Sequence, residues 1–195
     1  QRQMCIRDRY YSYEPERHHI FSFDLLTQEF NATWRKLSLP GDPDMNIQYG
    51  CVTGNAQTMY YIGGRQKSGG YYFKALLILN VSNQSWSDGT DMNSIRADFS
   101  CIISPNGKLY AIGGRTAGYY SKSIEYIPIN NTQGVWTSML TPNGLDEVLY
   151  ATRAVIYFDT IFVVGGADSD QTATDKVHII NTCLLYTSPS PRDVI

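Results

Sequence analysis

A pair of glycines returns three times along the chain, each time closing a short apolar run: MYYIGGR at 59–65, LYAIGGR at 109–115 and IFVVGGAD at 161–168. The runs are offset by 50 and then 52 residues, the spacing of a repeated structural unit. Aligned on the doublets, 51–65 (CVTGNAQTMYYIGGR) and 101–115 (CIISPNGKLYAIGGR) match without a gap. They share a cysteine, Tyr60 with Tyr110, Ile62 with Ile112, and the GGR. A tryptophan follows the second glycine by 22 residues in both copies, Trp86 after Gly64 and Trp136 after Gly114, and Trp34 precedes Trp86 by 52. One unit therefore occupies about fifty residues.

Local signals make the elements strands. The apolar runs before the doublets (MYYI, LYAI, IFVV) are continuous, as expected of strands covered on both faces. Asn106-Gly107 stands between two apolar runs and predicts a type I′ hairpin. Pro128 cannot donate to a ladder and should end its strand. Residues 18–37 read as strand, turn and strand, and 39–49 as a Pro/Gly/Asp loop. The first complete unit then places strand a at 50–54, b at 58–63, c at 74–81 and d around Trp86. In the second, a is at 100–104, b at 109–113, c at 122–129 and d near Trp136. The third supplies a at 151–157, b at 160–165 and c at 176–181. No stretch sustains a helical period with caps, so the chain is expected to be all-β. Four short antiparallel strands per unit, repeated, fit a β-propeller.

The residues at this point carry a family resemblance. A glycine doublet after an apolar strand, followed by IEYIPINNTQGVW at 124–136 with Glu125, Tyr126, Pro128 and Trp136, resembles the kelch repeat of the galactose oxidase/kelch-like superfamily. The same tail is legible in FDLLTQEFNATW (23–34) and LILNVSNQSW (77–86), without the Glu-Tyr pair. The resemblance spans roughly 18–181 and implies a propeller fragment. Residues 10–49 form the end of a partial blade and a loop, 50–98 and 99–150 two complete blades, and 151–182 a partial blade. The remaining blades would belong to the full-length chain. The third copy departs from GGR at Ala167. Gly63, Gly64, Gly113, Gly114, Gly165 and Gly166 are expected to supply positive φ or close backbone approach. Trp34, Trp86 and Trp136 are expected to bury area between adjacent sheets.

Two terminal stretches fall outside the pattern. QRQMCIRDR (1–9) and CLLYTSPSPRD within 183–195 resemble the two orientations of a translated sequencing adapter and are set aside from fold reasoning. Without Arg2, Arg7, Arg9 and Arg192 the 16 basic residues become 12, and without Asp8 and Asp193 the 18 acidic ones become 16. A net charge near −4 argues against a nucleic-acid partner. No run of ~18 apolar residues predicts a membrane span. Cys51 and Cys101 occupy equivalent places in successive units, which predicts separated, unpaired thiols. Whether the protein is cytoplasmic or secreted stays open here.

The candidates for chemistry are few. His18 and His19 lack further ligands at metal spacing, and Asp168, Asp170 and Asp175 lack the glycine and closing glutamate of a calcium loop, so neither metal nor cofactor is expected. No GxSxG, HExxH or P-loop occurs. Glycosylation sequons stand at Asn31, Asn80, Asn83 and Asn130. In an antiparallel a-b-c-d sheet the b–c and d–a loops emerge together. Two of the b–c loops begin with arginine and hold a tyrosine pair (Arg65, Tyr71, Tyr72; Arg115, Tyr119, Tyr120), while the d–a loops contribute Asp88, Asp91, Arg96 and Glu147. The arginines and tyrosines suit ligand anchors, and the arginines suit bracing ion pairs equally well. The kelch resemblance implies a non-catalytic module binding a protein, peptide or glycan through this loop face. The same superfamily also implies an alternative, part of a propeller-based enzyme such as a galactose-oxidase-like copper enzyme or a sugar-acid epimerase.

Overall fold

The computed structural model describes residues 19–22, 35–38, 47–66, 70–139 and 145–182, and they form strands and turns with no helix among them. No helix of the described residues is long and apolar enough to cross a membrane. β1 (His19–Ser22) pairs antiparallel with β2 (Arg35–Ser38). There follow β3 (Ile47–Gln48), β4 (Cys51–Gly54), β5 (Thr58–Gln66), β6 (Tyr72–Asn80) and β7 (Trp86–Asp88), joined in one sheet in the order β3-β5-β6-β7, with β4 also on β5. β8 (Ser100–Ile103), β9 (Lys108–Ile112), a small hairpin of β10 (Arg115–Thr116) and β11 (Tyr119–Tyr120), β12 (Ile124–Pro128) and β13 (Thr137–Met139) come next. Of these, β13-β12-β9-β8 make the second sheet. The last sheet is β14 (Arg153–Tyr157), β15 (Thr160–Val164) and β16 (Val177–Asn181), in that order. All pairings within these three sheets are antiparallel, and β12 ends at Pro128 as its missing N–H requires. Trp34 and Asn31 lie outside the described residues.

The chain divides into two compact units. The first holds the described residues up to Asp98 together with Thr116–Tyr119, and its core centres on Met59 and Leu79, with Val52 and half-buried Trp86 against them. Burial here pushes the Tyr60 hydroxyl above its ordinary pKa, a hydrogen bond with Thr58 drawing it partway back.

The second unit holds Phe99–Arg115 and the described residues from Tyr120 on. Its core lies between two sheets. One face of the second sheet presents Ile102, Tyr110, Ile112, Ile124, Tyr126 and Met139, and the third sheet answers with Ala154, Ile156, Ile161, Val163 and Ile180. Leu145 and Leu149, from the segment joining the sheets, complete the cluster. Trp136 is buried in this unit too. Beside the core, the Ser100 and Thr152 hydroxyls hydrogen bond at 2.9 Å, buried from water.

The glycine doublet has the same backbone in every copy: φ is 58° and 106° at Gly63 and Gly64, 65° and 98° at Gly113 and Gly114, 61° and 102° at Gly165 and Gly166. Glycine, having no Cβ, takes two consecutive positive φ values at little cost. The turn aims N–H groups away from the strand. The first glycine donates to the carbonyl just ahead of strand c, Gly113 to Ser123 at 3.0 Å and Gly165 to Lys176 at 3.1 Å. The second donates to the loop that leads into the following sheet, Gly64 to the Arg96 carbonyl at 2.9 Å and Gly114 to the Leu149 carbonyl at 2.8 Å. Space is also closed there, since a Cβ on Gly64 would stand 2.9 Å from the Gln48 carbonyl oxygen and one on Gly166 2.6 Å from that of Tyr150.

Two expectations are corrected. Asn106-Gly107 does not form a type I′ turn: only Gly107 takes positive φ, at 76°, and its N–H donates to the Ser104 carbonyl at 2.9 Å. Pro105 pre-sets φ for the first central position of a type I turn, and Gly107 follows it in the left-handed region, giving a three-residue connection between Ser104 and Lys108. The cysteines are the second correction, for Cys51 and Cys101 are each disulfide-bonded. The expectation of free thiols assumed that equivalent positions of strand a stand far apart. Ser100 and Thr152 occupy such positions in the second unit and touch.

The third sheet differs from the second in one respect. The row Ile102, Tyr110, Tyr126 of the second sheet is covered, whereas in the matching row Val155 and Ile179 flank a half-buried Phe162 and, with their neighbours Val164 and Val177, are exposed, Ile179 being 67% exposed. Strand β15 is correspondingly less enclosed than β5 and β9, contrary to the expectation drawn from its apolar run.

The doublets generate a graded stability series. Gly165→Ala meets only the strain of positive φ, since its nearest contact would be 3.5 Å away, and should cost about 1–2 kcal/mol. Gly166→Ala adds backbone overlap with Tyr150 and a 2.6 Å approach to the Thr152 methyl, and should cost about 3 kcal/mol. Urea-unfolding midpoints of the two variants should separate in that order, and coincident midpoints would contradict it.

Candidate functional site

The b–c loops are built on the doublet turn. Because that turn redirects the chain, the residue after it begins a new pairing: Arg65 pairs with Gln48 of β3 on one side and Tyr72 of β6 on the other. Arg65 is half-buried, and its guanidinium carbon lies 5.2 Å from the centroid of the Tyr49 ring. Tyr72 is half-buried in the strand while Tyr71, beside it, is 69% exposed. Arg96 is placed differently from these. It is buried, 1% exposed, with its N–H on the Phe73 carbonyl at 3.2 Å and its carbonyl taken by Gly64.

The second loop repeats the arrangement with other partners. Arg115 opens β10 and Tyr120 closes β11, the hairpin being held by the Ser121 N–H on the Gly114 carbonyl at 2.8 Å. The Arg115 guanidinium lies 5.5 Å from the Tyr150 ring, and Tyr120 stacks on that same ring with centroids 4.9 Å apart. Cation, ring and second ring thus form one stack, and each contact of this kind contributes about 0.5–1.5 kcal/mol. Tyr119, at the hairpin tip, is 77% exposed. In both loops, then, the first tyrosine of the pair faces water and the second is tucked in. The tip Thr116–Tyr119 belongs to the first unit, the one that also carries Arg65, Tyr71 and Tyr72.

The third loop lacks these groups. Ala167 pairs with Tyr150 through two backbone bonds of 3.1 and 3.0 Å, and the Asp168 carboxylate accepts from the Asp170 and Thr172 amides at 2.9 and 3.0 Å. That carboxylate organises its own loop, and Asp175 lies farther along the same exposed segment. Of the acidic residues on the d–a loops, Asp91 pairs with Lys74 at 3.8 Å, and Glu147 with Lys176 at 3.0 Å. Asp88 lies at the end of β7, exposed. No group of three or more His, Cys, Asp or Glu that could hold a metal ion occurs among the described residues.

Tyr49 and Tyr150 are the site residues that sequence reasoning missed. Each stands just ahead of a strand a, two residues before Cys51 and three before Arg153. The first strand a belongs to the sheet that carries Arg65 and the second to the sheet after the one that leads to Arg115, so the two rings are not equivalent positions and no alignment of the units pairs them. His178 was missed as well. It is a buried residue of β16 with Nε2 3.3 Å from Glu147 and Nδ1 3.8 Å from Asp146, and a lone histidine on an alternating strand gives no warning of such neighbours.

No family model and no curated protein matches the sequence. Among solved structures 172 chains match, so the arrangement of strands recurs well beyond this protein. The structure of YjhT is similar with a TM-score of 0.62 at 18% identity, the match covering 84% of this chain and 51% of that one. At this identity the likeness concerns the fold alone. The chain spans about half the length of that neighbour.

The stack itself is testable. Tyr150→Ala removes the ring shared by Arg115 and Tyr120. In a double-mutant cycle on unfolding free energy, Tyr150→Ala and Arg115→Ala should couple by about 0.5–1 kcal/mol, while Tyr150→Phe retains the coupling. Additive single effects would show that the arginine and the ring do not interact.

Proposed function

We propose that this chain is part of a kelch-type β-propeller and that it serves as a non-catalytic recognition module, binding a protein, peptide or glycan through the b–c and d–a loops. Three features support the propeller reading. The doublet conformation recurs unchanged in three units. The second sheet packs one whole face on the third. The third sheet leaves the equivalent apolar row open, as the face that a further blade would cover.

The observation that carries the binding reading is the repeated loop design: an exposed tyrosine in front, an arginine stacked on a tyrosine behind. Tyr71 and Tyr119 offer rigid amphipathic surface at small entropic cost, and Arg65 and Arg115 hold charge at fixed positions, the combination found at binding anchors. A guanidinium recognises a carboxylate through bidentate, charge-assisted hydrogen bonds, so an anionic or carboxylate-bearing ligand fits best. Arg96, being buried, supports the loops from within, and the Ala167–Asp168 loop marks where positive character ends.

Full-length protein should be applied to an array of carboxylate-bearing oligosaccharides and peptides. Tyr71→Ala and Tyr119→Ala should each weaken the strongest signal about tenfold, equivalent to roughly 1.4 kcal/mol, with the melting temperature unchanged. Arg65→Ala and Arg115→Ala should weaken it by a similar factor. Binding that survives all four substitutions would overturn the assignment.

A further inference from the structure

The sequons of the described residues are not scattered. Asn80 closes β6, Asn83 lies in the β6–β7 connection and Asn130 in the β12–β13 connection, the same c–d turn of two successive sheets, and none lies on the described parts of the b–c or d–a loops. Asn31 falls between β1 and β2 in sequence and outside the described residues. All three described asparagines are exposed.

Their local geometry is that of open turns. The Asn80 carboxamide oxygen accepts from the Ser82 N–H at 3.0 Å and the Ser82 hydroxyl at 2.7 Å, and the Asn83 oxygen accepts from the Ser85 N–H at 3.0 Å and the Ser85 hydroxyl at 2.8 Å. These bonds tie asparagine to the hydroxyl residue two positions on, the pair that defines the sequon, and they use the oxygen. The nitrogen, which takes the sugar, lies outside them. A second observation is independent of the sequons: Cys51 and Cys101 are disulfide-bonded, and structural disulfides persist in oxidising compartments.

We propose that the c–d turns are N-glycan acceptor sites and that the protein matures in an oxidising, secretory compartment. In the modification step the asparagine nitrogen attacks the anomeric carbon of a polyprenyl-pyrophosphate oligosaccharide supplied by that compartment. An N–C bond forms, the bond from that carbon to the pyrophosphate oxygen breaks, the lipid pyrophosphate departs, and the amide nitrogen gives up one proton to a base. The sugar is thereby kept off the loop face. Strand β6 separates Tyr72 from Asn80 by eight residue steps, which at ~3.3 Å each is about 26 Å. Asn80 and Asn83 are three residues apart in one turn, so one bulky glycan there hinders the other. This inference does not rest on the kelch reading.

The test is to express the chain behind a cleavable signal sequence in a eukaryotic secretory host. The purified protein is alkylated without reduction, treated with peptide N-glycosidase in heavy-oxygen water, and mapped by peptide mass. Heavy-oxygen aspartate is expected at Asn130 and at one or both of Asn80 and Asn83, with Cys51 and Cys101 unalkylated. Thr132→Ala should abolish the label at Asn130, and Ser82→Ala with Ser85→Ala the label at Asn80 and Asn83. Because transfer precedes folding, poor folding of a variant does not mask the outcome. Unlabelled asparagines at all three sites, in protein whose Cys51 and Cys101 are blocked, would overturn the acceptor assignment. Alkylated cysteines would overturn the compartment.

Discussion

The interaction on which the rest depends is the hydrogen bond from the second glycine of the first and second doublets, Gly64 and Gly114, to the segment that follows each sheet. Its geometry needs two successive residues at positive φ, and glycine is the residue that takes both without penalty. The turn ends one strand, turns the chain toward the next, and brings an N–H to within 2.8–2.9 Å of the Leu149 and Arg96 carbonyls. A backbone bond of this kind contributes about 1 kcal/mol net, but its position matters more than its strength. In the second unit it sets where the third sheet begins, and there the faces of the second and third sheets pack together.

That dependence explains which features were legible in the sequence. Strands a, b and c of the second and third units lie within a residue or two of their expected places, because apolar runs and doublets mark both ends of each strand. The continuous burial of β5 and β9 followed from their unbroken apolar runs. The exposure of Val155 and Ile179 did not, because an apolar strand reads the same whether or not another sheet covers it. The disulfide state of Cys51 and Cys101 failed to show because the repeat distance in sequence does not tell how close strand a positions come, as Ser100 and Thr152 of the second unit do.

The candidate site was half legible. Arg65, Arg115 and the tyrosine pairs announce themselves by recurring at one place in the unit, whereas the rings beside the arginines come from non-equivalent places, Tyr49 ahead of a strand of the same sheet and Tyr150 ahead of the following sheet. Each lies over a tyrosine ring, which supports the bracing role that the sequence offered for these arginines beside the binding one.

The central claim is that these sheets belong to a larger array of like sheets. It is tested most directly by Ile179→Asp, made both in this chain and in a longer protein that extends it by further sheets of the proposed array. Ile179 is exposed here, so the substitution in this chain should change unfolding free energy by no more than ~0.5 kcal/mol. In the longer protein a further sheet would cover the position, and burying an unpaired carboxylate there should cost about 3 kcal/mol or more. Equal tolerance in both proteins would mean that nothing packs on this face, and the account would be wrong.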